Sequence, residues 1–337
     1  MEFGKIICRE LDQLAFDEIG STAHVDARHP ASAVRADTKR TVGPGAPIGH
    51  FTNGGNVTIP GDEHENSQAD QKEHFLKSLS LFTQQHRAGH WSGTFAQFME
   101  QVLPATPHEV ARTSHQYIWD MIRSTVTSDG DGHFRCRLFN EDLFGIDDAI
   151  DRVIDYFKAA AAGSEVGRRL LLLLGPPSGG KSTMVILLKR GLEEYSYTDE
   201  GALYAIAGCP VHESPLHLVP HTMRATCRNT YGIDITGEVC PHCRARLEDQ
   251  FQGDFMQMPV ERFFVSESGR SAIGTYAPHD PTTADLADLV GSVDLSKVAQ
   301  FGDEGDPRAW SWSGAVYAAS RGVLEMIEIL KVKREFL

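Results

Sequence analysis

The chain has 337 residues, 41% of them apolar, which is enough to build a sizeable core and excludes a wholly disordered protein. Lys and Arg number 32 against 46 Asp and Glu, and the net charge of −14 argues against nucleic acid as the main partner, because phosphate contacts need a basic footprint. Six cysteines in a chain of this length fit thiols in a reducing compartment, and neither a signal peptide nor a membrane-length apolar run is read, so a cytoplasmic protein with no membrane partner is expected.

Residues 1–70 read as a flexible N-terminal arm, since the stretch from His29 to Asp70 is rich in Gly, Pro, Ala, Thr, Asn and Asp with hardly any periodic apolar positions. Residues 71–142 read as a helical subdomain. Phe75, Leu76, Leu79 and Phe82 share one face of a first helix. Two further helices are divided by the Pro104–Pro107 turn, the second carrying Val110, Ile118, Met121 and Ile122. From Gly145 to Gly163 another amphipathic helix is expected, with Ala149, Ile150, Val153, Ile154 and Phe157 as its buried stripe and Gly163 at its end.

Leu170–Leu174 is an apolar run of strand length, and it leads straight into GPPSGGKST. That segment fits G-x-x-x-x-G-K-[ST] across Gly175, Pro176, Pro177, Ser178, Gly179, Gly180, Lys181, Ser182 and Thr183. Small residues let successive backbone N–H groups turn inward around phosphates, Lys181 reaches the β- and γ-phosphates, and Ser182 offers a hydroxyl to Mg²⁺. A helix from Ser182 to Tyr195 would add its positive end to the same anion. A structural glycine turn would not call for a lysine and a hydroxyl together. The strand, loop and helix in this order open a parallel α/β sheet of the P-loop NTPase class, with ATP and Mg²⁺ as cofactors. The pair Phe144-Gly145 ahead of the preceding helix stands where AAA+ ATPases cover the adenine face.

An insertion over about residues 208–250 carries Cys209-x-x-His212 and Cys240-x-x-Cys243, two pairs at metal-binding spacing. Together they suit one structural Zn²⁺ in a ribbon-like turn; ordinary reduced cysteines on a loop, or a redox pair, are the alternatives. A P-loop ATPase also needs an acidic element at the end of a strand. In Gly322–Leu330, Glu328 falls at the water-activating position, Ile327 stands where an Asp is usual, and Glu325 is the substitute carboxylate. Val323, Met326, Ile327 and Leu330 equally fit one face of a plain helix.

The motifs GPPSGGKST, GCPVHESPLHLVP, GEVCPHCRARL, GTYAPHDPTTADLADLVGSVDLS, FGDEGDPRAWSWSGAVYAASRG and LEMIEILK occur in one order from about Lys72 to Leu337. In this the chain resembles the PrkA family of bacterial serine protein kinases. The resemblance implies an AAA+ domain over residues 143–337, and a protein substrate or partner. It also implies assembly of the full-length protein into a homo-oligomeric ring. Family members run on past the position of Leu337, so the sensor residues, arginine finger, helical lid and kinase-like region are expected outside this chain. No H-R-D-x-x-x-x-N or D-F-G kinase motif is present. ATP hydrolysis and phosphoryl transfer to protein are the two activities implied; a non-catalytic nucleotide-binding or interaction fragment of a AAA+ regulator is the alternative.

Overall fold

The apolar run at Leu170–Leu174 forms a strand over Leu171–Leu173 in the computed structural model, which describes residues 4–8, 72–73, 75–80, 89–128, 134–278 and 286–328. This strand is the edge of a four-stranded sheet. Next to it lies Gly4–Cys8, then Val323–Ile327, then Ile273–Tyr276, and every neighbouring pair is parallel. Edge position explains why the P-loop strand is not buried on both faces as its composition predicts. Side chains alternate across a strand; Leu171 and Leu173 pack on the core, whereas Leu170, Leu172 and Leu174 remain 47, 40 and 54% exposed.

Gly4–Cys8 falls within the arm expected from composition, yet it pairs with strands on both sides. Ile6 and Ile7 are β-branched and suit a strand, but the slot itself is made by two segments far along the chain. The rest of the arm lies outside the described residues. The C-terminal element is a strand: Val323 and Leu324 are fully buried between neighbours, which sets the helical alternative aside. Leu330 lies outside the described residues.

Three helices line one core. Thr113 caps the helix Ser114–Ser124 through a reciprocal pair with Gln116, and Ile118, Met121 and Ile122 turn inward. The next helix spans Asp147–Ala161 and buries Ile150, Val153, Phe157 and Ala160, while Ala149 stays exposed and Ile154 is half-buried. The third, Lys181–Ser196, contributes Met184, Val185, Leu187, Leu188 and Leu192. Each Leu, Ile or Phe buried in this way contributes about 1.5–3 kcal/mol, so the amphipathic stripes rather than helix propensity hold the layer together. Gly191 permits the close approach: a Cβ there would lie 2.6 Å from Leu138 Cδ1 and 3.0 Å from Met121 Sδ. At the far end of the third helix, Arg262 Nη2 donates to the carbonyls of Ser196, Tyr197 and Thr198, satisfying acceptors that the helix leaves open.

Arg262 belongs to a second, antiparallel sheet in which Pro259–Phe263 pairs with Ser92–Thr94 on one side and Leu203–Ile206 on the other. Over it a second core gathers Phe95, Phe98, Leu103, Val211, Leu216 and Met258 together with Cys209, Cys240 and Cys243. The expected helical subdomain is thus shared out: apolar residues from Trp91 to Ala111 pack on the second core and those from Tyr117 to Leu138 and Phe139 on the first. Two compact units are distinguished, Met1–Asp12 with Gln85–Leu337, and Gln13–Gln84. In the smaller unit, residues 72–73 and 75–80 are helical and Phe75, Leu76 and Leu79 are exposed; Phe82 is outside the described residues. Among the described residues no helix is long and apolar enough to cross a membrane.

Candidate functional site

The loop between Leu173 and Lys181 is shaped by residues in the left-handed backbone region. Ser178 has φ 60° and Gly180 φ 79°, and Gly179 N–H returns to the Pro176 carbonyl at 3.2 Å. Gly180 is the N-cap of the helix that follows, so the first helical N–H groups face the loop. A Cβ on Gly179 would lie 3.0 Å from the Pro176 oxygen, so a side chain would fill the cradle. Lys181 Nζ lies across the loop and donates to the carbonyls of Gly175 (3.0 Å) and Pro176 (2.6 Å). Ser182 and Thr183 are exposed on the first turn of the helix. Backbone donors, an ammonium and a hydroxyl therefore meet at one helix N-terminus, which is the donor set a nucleotide phosphate chain and its Mg²⁺ require.

The segment before the Asp147–Ala161 helix reaches this loop. A Cβ on Gly180 would lie 3.2 Å from both Leu143 Cδ2 and Ile146 Cδ1. Phe144 is 79% exposed, and with Leu143, Ile150, Arg135, Asn140, Asp147 and Asp151 it lines a cavity of about 490 Å³ whose wall is more polar than apolar.

The acidic strand meets the P-loop through sheet register. Cys8 pairs with Leu173 on one side and Ile327 on the other, two strand spacings or about 10 Å apart, so the chains leading to Gly175 and Glu328 leave the same end of the sheet. Glu328 has φ 54°, an uncommon conformation for a residue with a side chain and one that turns the chain sharply as the strand ends. Glu325, expected as the substitute metal carboxylate, is engaged with a lysine. Its carboxylate is 8% exposed and ion-paired with Lys189 Nζ, on the P-loop helix. Lys189 also donates to Glu267 Oε1 at 2.5 Å and Thr275 Oγ1 at 2.7 Å, and the Thr275 hydroxyl donates to Glu267 Oε1 at 2.9 Å. Burial alone would raise the Glu267 carboxyl, but the bond and charge of Lys189 and the Thr275 hydroxyl outweigh it and hold it below the usual carboxylate range. This network joins the P-loop helix to two strands of the sheet. Sequence spacing could not reveal it, because the partners meet only through the fold.

The Cys–His region forms a second site, in the second core. Cys209 lies in the turn after Leu203–Ile206, its N–H bonded to the Ile206 carbonyl at 3.0 Å. Cys240 is the N-cap of the helix Pro241–Phe251, not the ribbon-like turn expected, and its Sγ accepts from Cys243 N–H at 3.4 Å. Ligand atoms of Cys209, Glu213, Cys240 and Cys243, all buried, lie within 4.8 Å of one another. His212 is not in that group. Its backbone, at φ 44°, directs the ring onto Phe263, stacked 4.9 Å centroid to centroid with 9° between planes. Glu213 takes its place: both carboxylate oxygens accept from Cys240 N–H at 2.9 Å, and Oε1 contacts His217 Nδ1 at 3.1 Å. Hydrogen bonds from the Cys240 and Cys243 thiols pull the Cys209 thiol down to about 3, and the same contacts push Cys240 and Cys243 up.

Residues 93–337 match the family described as the PrkA AAA domain. The chain is 43% identical over 263 residues to the ATP-dependent protease PrkA of Bacillus subtilis, a match covering 78% of this chain and 41% of that protein. It is 31% identical over 198 residues to the serine/threonine kinase YeaG of Escherichia coli, covering 57% of this chain and 30% of that one. A protein of Geobacillus stearothermophilus, described as an uncharacterized protein in the gldA 5′ region, matches at 30% over 92 residues, 27% of this chain and 93% of its own. The chain therefore spans less than half the length of the PrkA and YeaG proteins it matches. No solved structure matches it.

Proposed function

Because this chain belongs to the PrkA AAA domain family, we propose that Gly175–Thr183 binds ATP and Mg²⁺ and that Glu328 activates the water that hydrolyses it. The observation that carries this reading is that the Lys181 loop and Glu328 leave one end of the sheet two strands apart, set by the shared register through Cys8. Lys181 would exchange the loop carbonyls for phosphate oxygens, a stronger charge-assisted partner. Ser182 would supply one Mg²⁺ ligand, and the Mg²⁺, when bound, neutralises charge developing on the phosphates. Leu143 and Phe144 would hold the base, and the Lys189–Glu325 pair keeps the acidic strand and the P-loop helix in fixed relation. In the whole protein we place this module in a ring of copies, in which a neighbour's arginine completes the site.

The two relatives' names, a protease and a kinase, have the use of ATP in common. Incubation with γ-labelled ATP and casein separates the readings. Free phosphate without labelled casein is the outcome expected; labelled casein, lost in the Lys181→Ala variant, would establish the kinase instead. ATP-dependent cleavage of the casein would point to proteolysis. Glu328→Gln is expected to retain ATP binding while lowering phosphate release by about 100-fold or more, the usual contribution of a positioned base. Unchanged turnover in that variant would remove Glu328 from the mechanism.

A further inference from the structure

We infer that Cys209, Cys240, Cys243 and Glu213 hold one tetrahedral Zn²⁺ in a closed structural site, independent of the nucleotide. The sulfur spacing is the first support. Cys209 Sγ and Cys240 Sγ are 3.9 Å apart; two thiolates at the Zn–S distance of about 2.3 Å, seen from a tetrahedral centre, lie about 3.8 Å apart. A disulfide needs about 2.05 Å, so the pair is not poised as one. The second support is the Cys243 N–H bond to the Cys240 sulfur at 3.4 Å, which fixes that sulfur at the head of the helix beside Cys243.

The third support is Glu213. Its carboxylate, 5% exposed and oriented by the Cys240 N–H, places an oxygen ligand within 4.8 Å of the three sulfurs. The Cys240 N–H and the helix beginning at Pro241 offset part of the negative charge that three thiolates and a carboxylate would place around one dication. Three soft sulfurs with one oxygen in a tetrahedral set favour zinc over the hard cations Mg²⁺ and Ca²⁺, which take oxygen ligands in higher coordination. With four protein ligands no position is left open for substrate, so the ion's role is structural. It ties the turn at Cys209 to the helix at Cys240 and closes the chain between them, whose residues, with Arg112 and Arg321, line a cavity of about 630 Å³.

The test is metal analysis of the whole chain purified under reducing conditions, with X-ray absorption at the zinc edge. About one zinc per chain is expected, with three sulfurs at about 2.3 Å and one oxygen at about 2.0–2.2 Å. Cys243→Ser is expected to fall below about one-tenth equivalent, while His212→Ala keeps its full complement. Less than one-tenth equivalent in reduced wild-type protein resupplied with zinc would overturn the site, as would a Cys209–Cys240 disulfide mapped in freshly purified protein. A nitrogen in place of the oxygen, with zinc lost from His212→Ala, would overturn the ligand set. If Cys243→Ser fails to fold, the wild-type stoichiometry and absorption spectrum decide the matter alone.

Discussion

Lys189→Ala is expected to lower the unfolding free energy by about 3–5 kcal/mol, measured as a shift of the urea midpoint at constant slope. The substitution removes an ammonium 6% exposed and leaves Glu325, 8% exposed, as an uncompensated buried charge. Most of the loss comes from that stranded carboxylate rather than from the attraction itself, because desolvation of two ions consumes much of the Coulomb gain. A Lys189→Met, Glu325→Leu double variant therefore recovers most of the stability. It would separate the cost of an orphaned charge from the worth of the pair. A loss below about 1 kcal/mol in Lys189→Ala would mean that water reaches Glu325 and the network does not brace the sheet.

Lys181→Ala acts in the opposite way. It is expected to weaken ATP binding by about 10- to 100-fold, the worth of a hydrogen bond to a charged group, with the urea midpoint unchanged. The reason lies in its surroundings: Lys181 bonds to loop carbonyls at a partly exposed position and carries no core packing. The pair of variants thus separates function from stability on one helix, eight residues apart. Calorimetric titration of both with ATP, beside the denaturation curves, checks them together. An equal fall in stability for the two would contradict this division.

The helices were legible because their apolar stripes recur at helical period; Ile150, Val153 and Phe157 face the core as the spacing requires. The P-loop was legible because its residue types have few other uses. What escaped depends on tertiary partners. Gly4–Cys8 is a five-residue segment whose slot is made by strands near residues 171 and 323. The exposure of Leu172 follows from edge position, which no local run of leucines announces. In the cysteine region the spacing located three sulfurs, but the backbone turn at His212 sends that ring to Phe263 and brings the next residue, Glu213, into the cluster. An acid directly after the spaced histidine was the available signal. Glu325 had a similar ambiguity, since a carboxylate inside an apolar strand reads as catalytic until its buried partner is known.

The proposed function stands on ATP binding at Lys181 and Ser182. Calorimetric titration of the whole chain with ATP tests it most directly, with and without Mg²⁺. Saturable binding at about one ATP per chain is expected, weakened when Mg²⁺ is chelated and weakened again by Lys181→Ala. No saturable binding at millimolar ATP, or binding indifferent to Lys181→Ala, would contradict it.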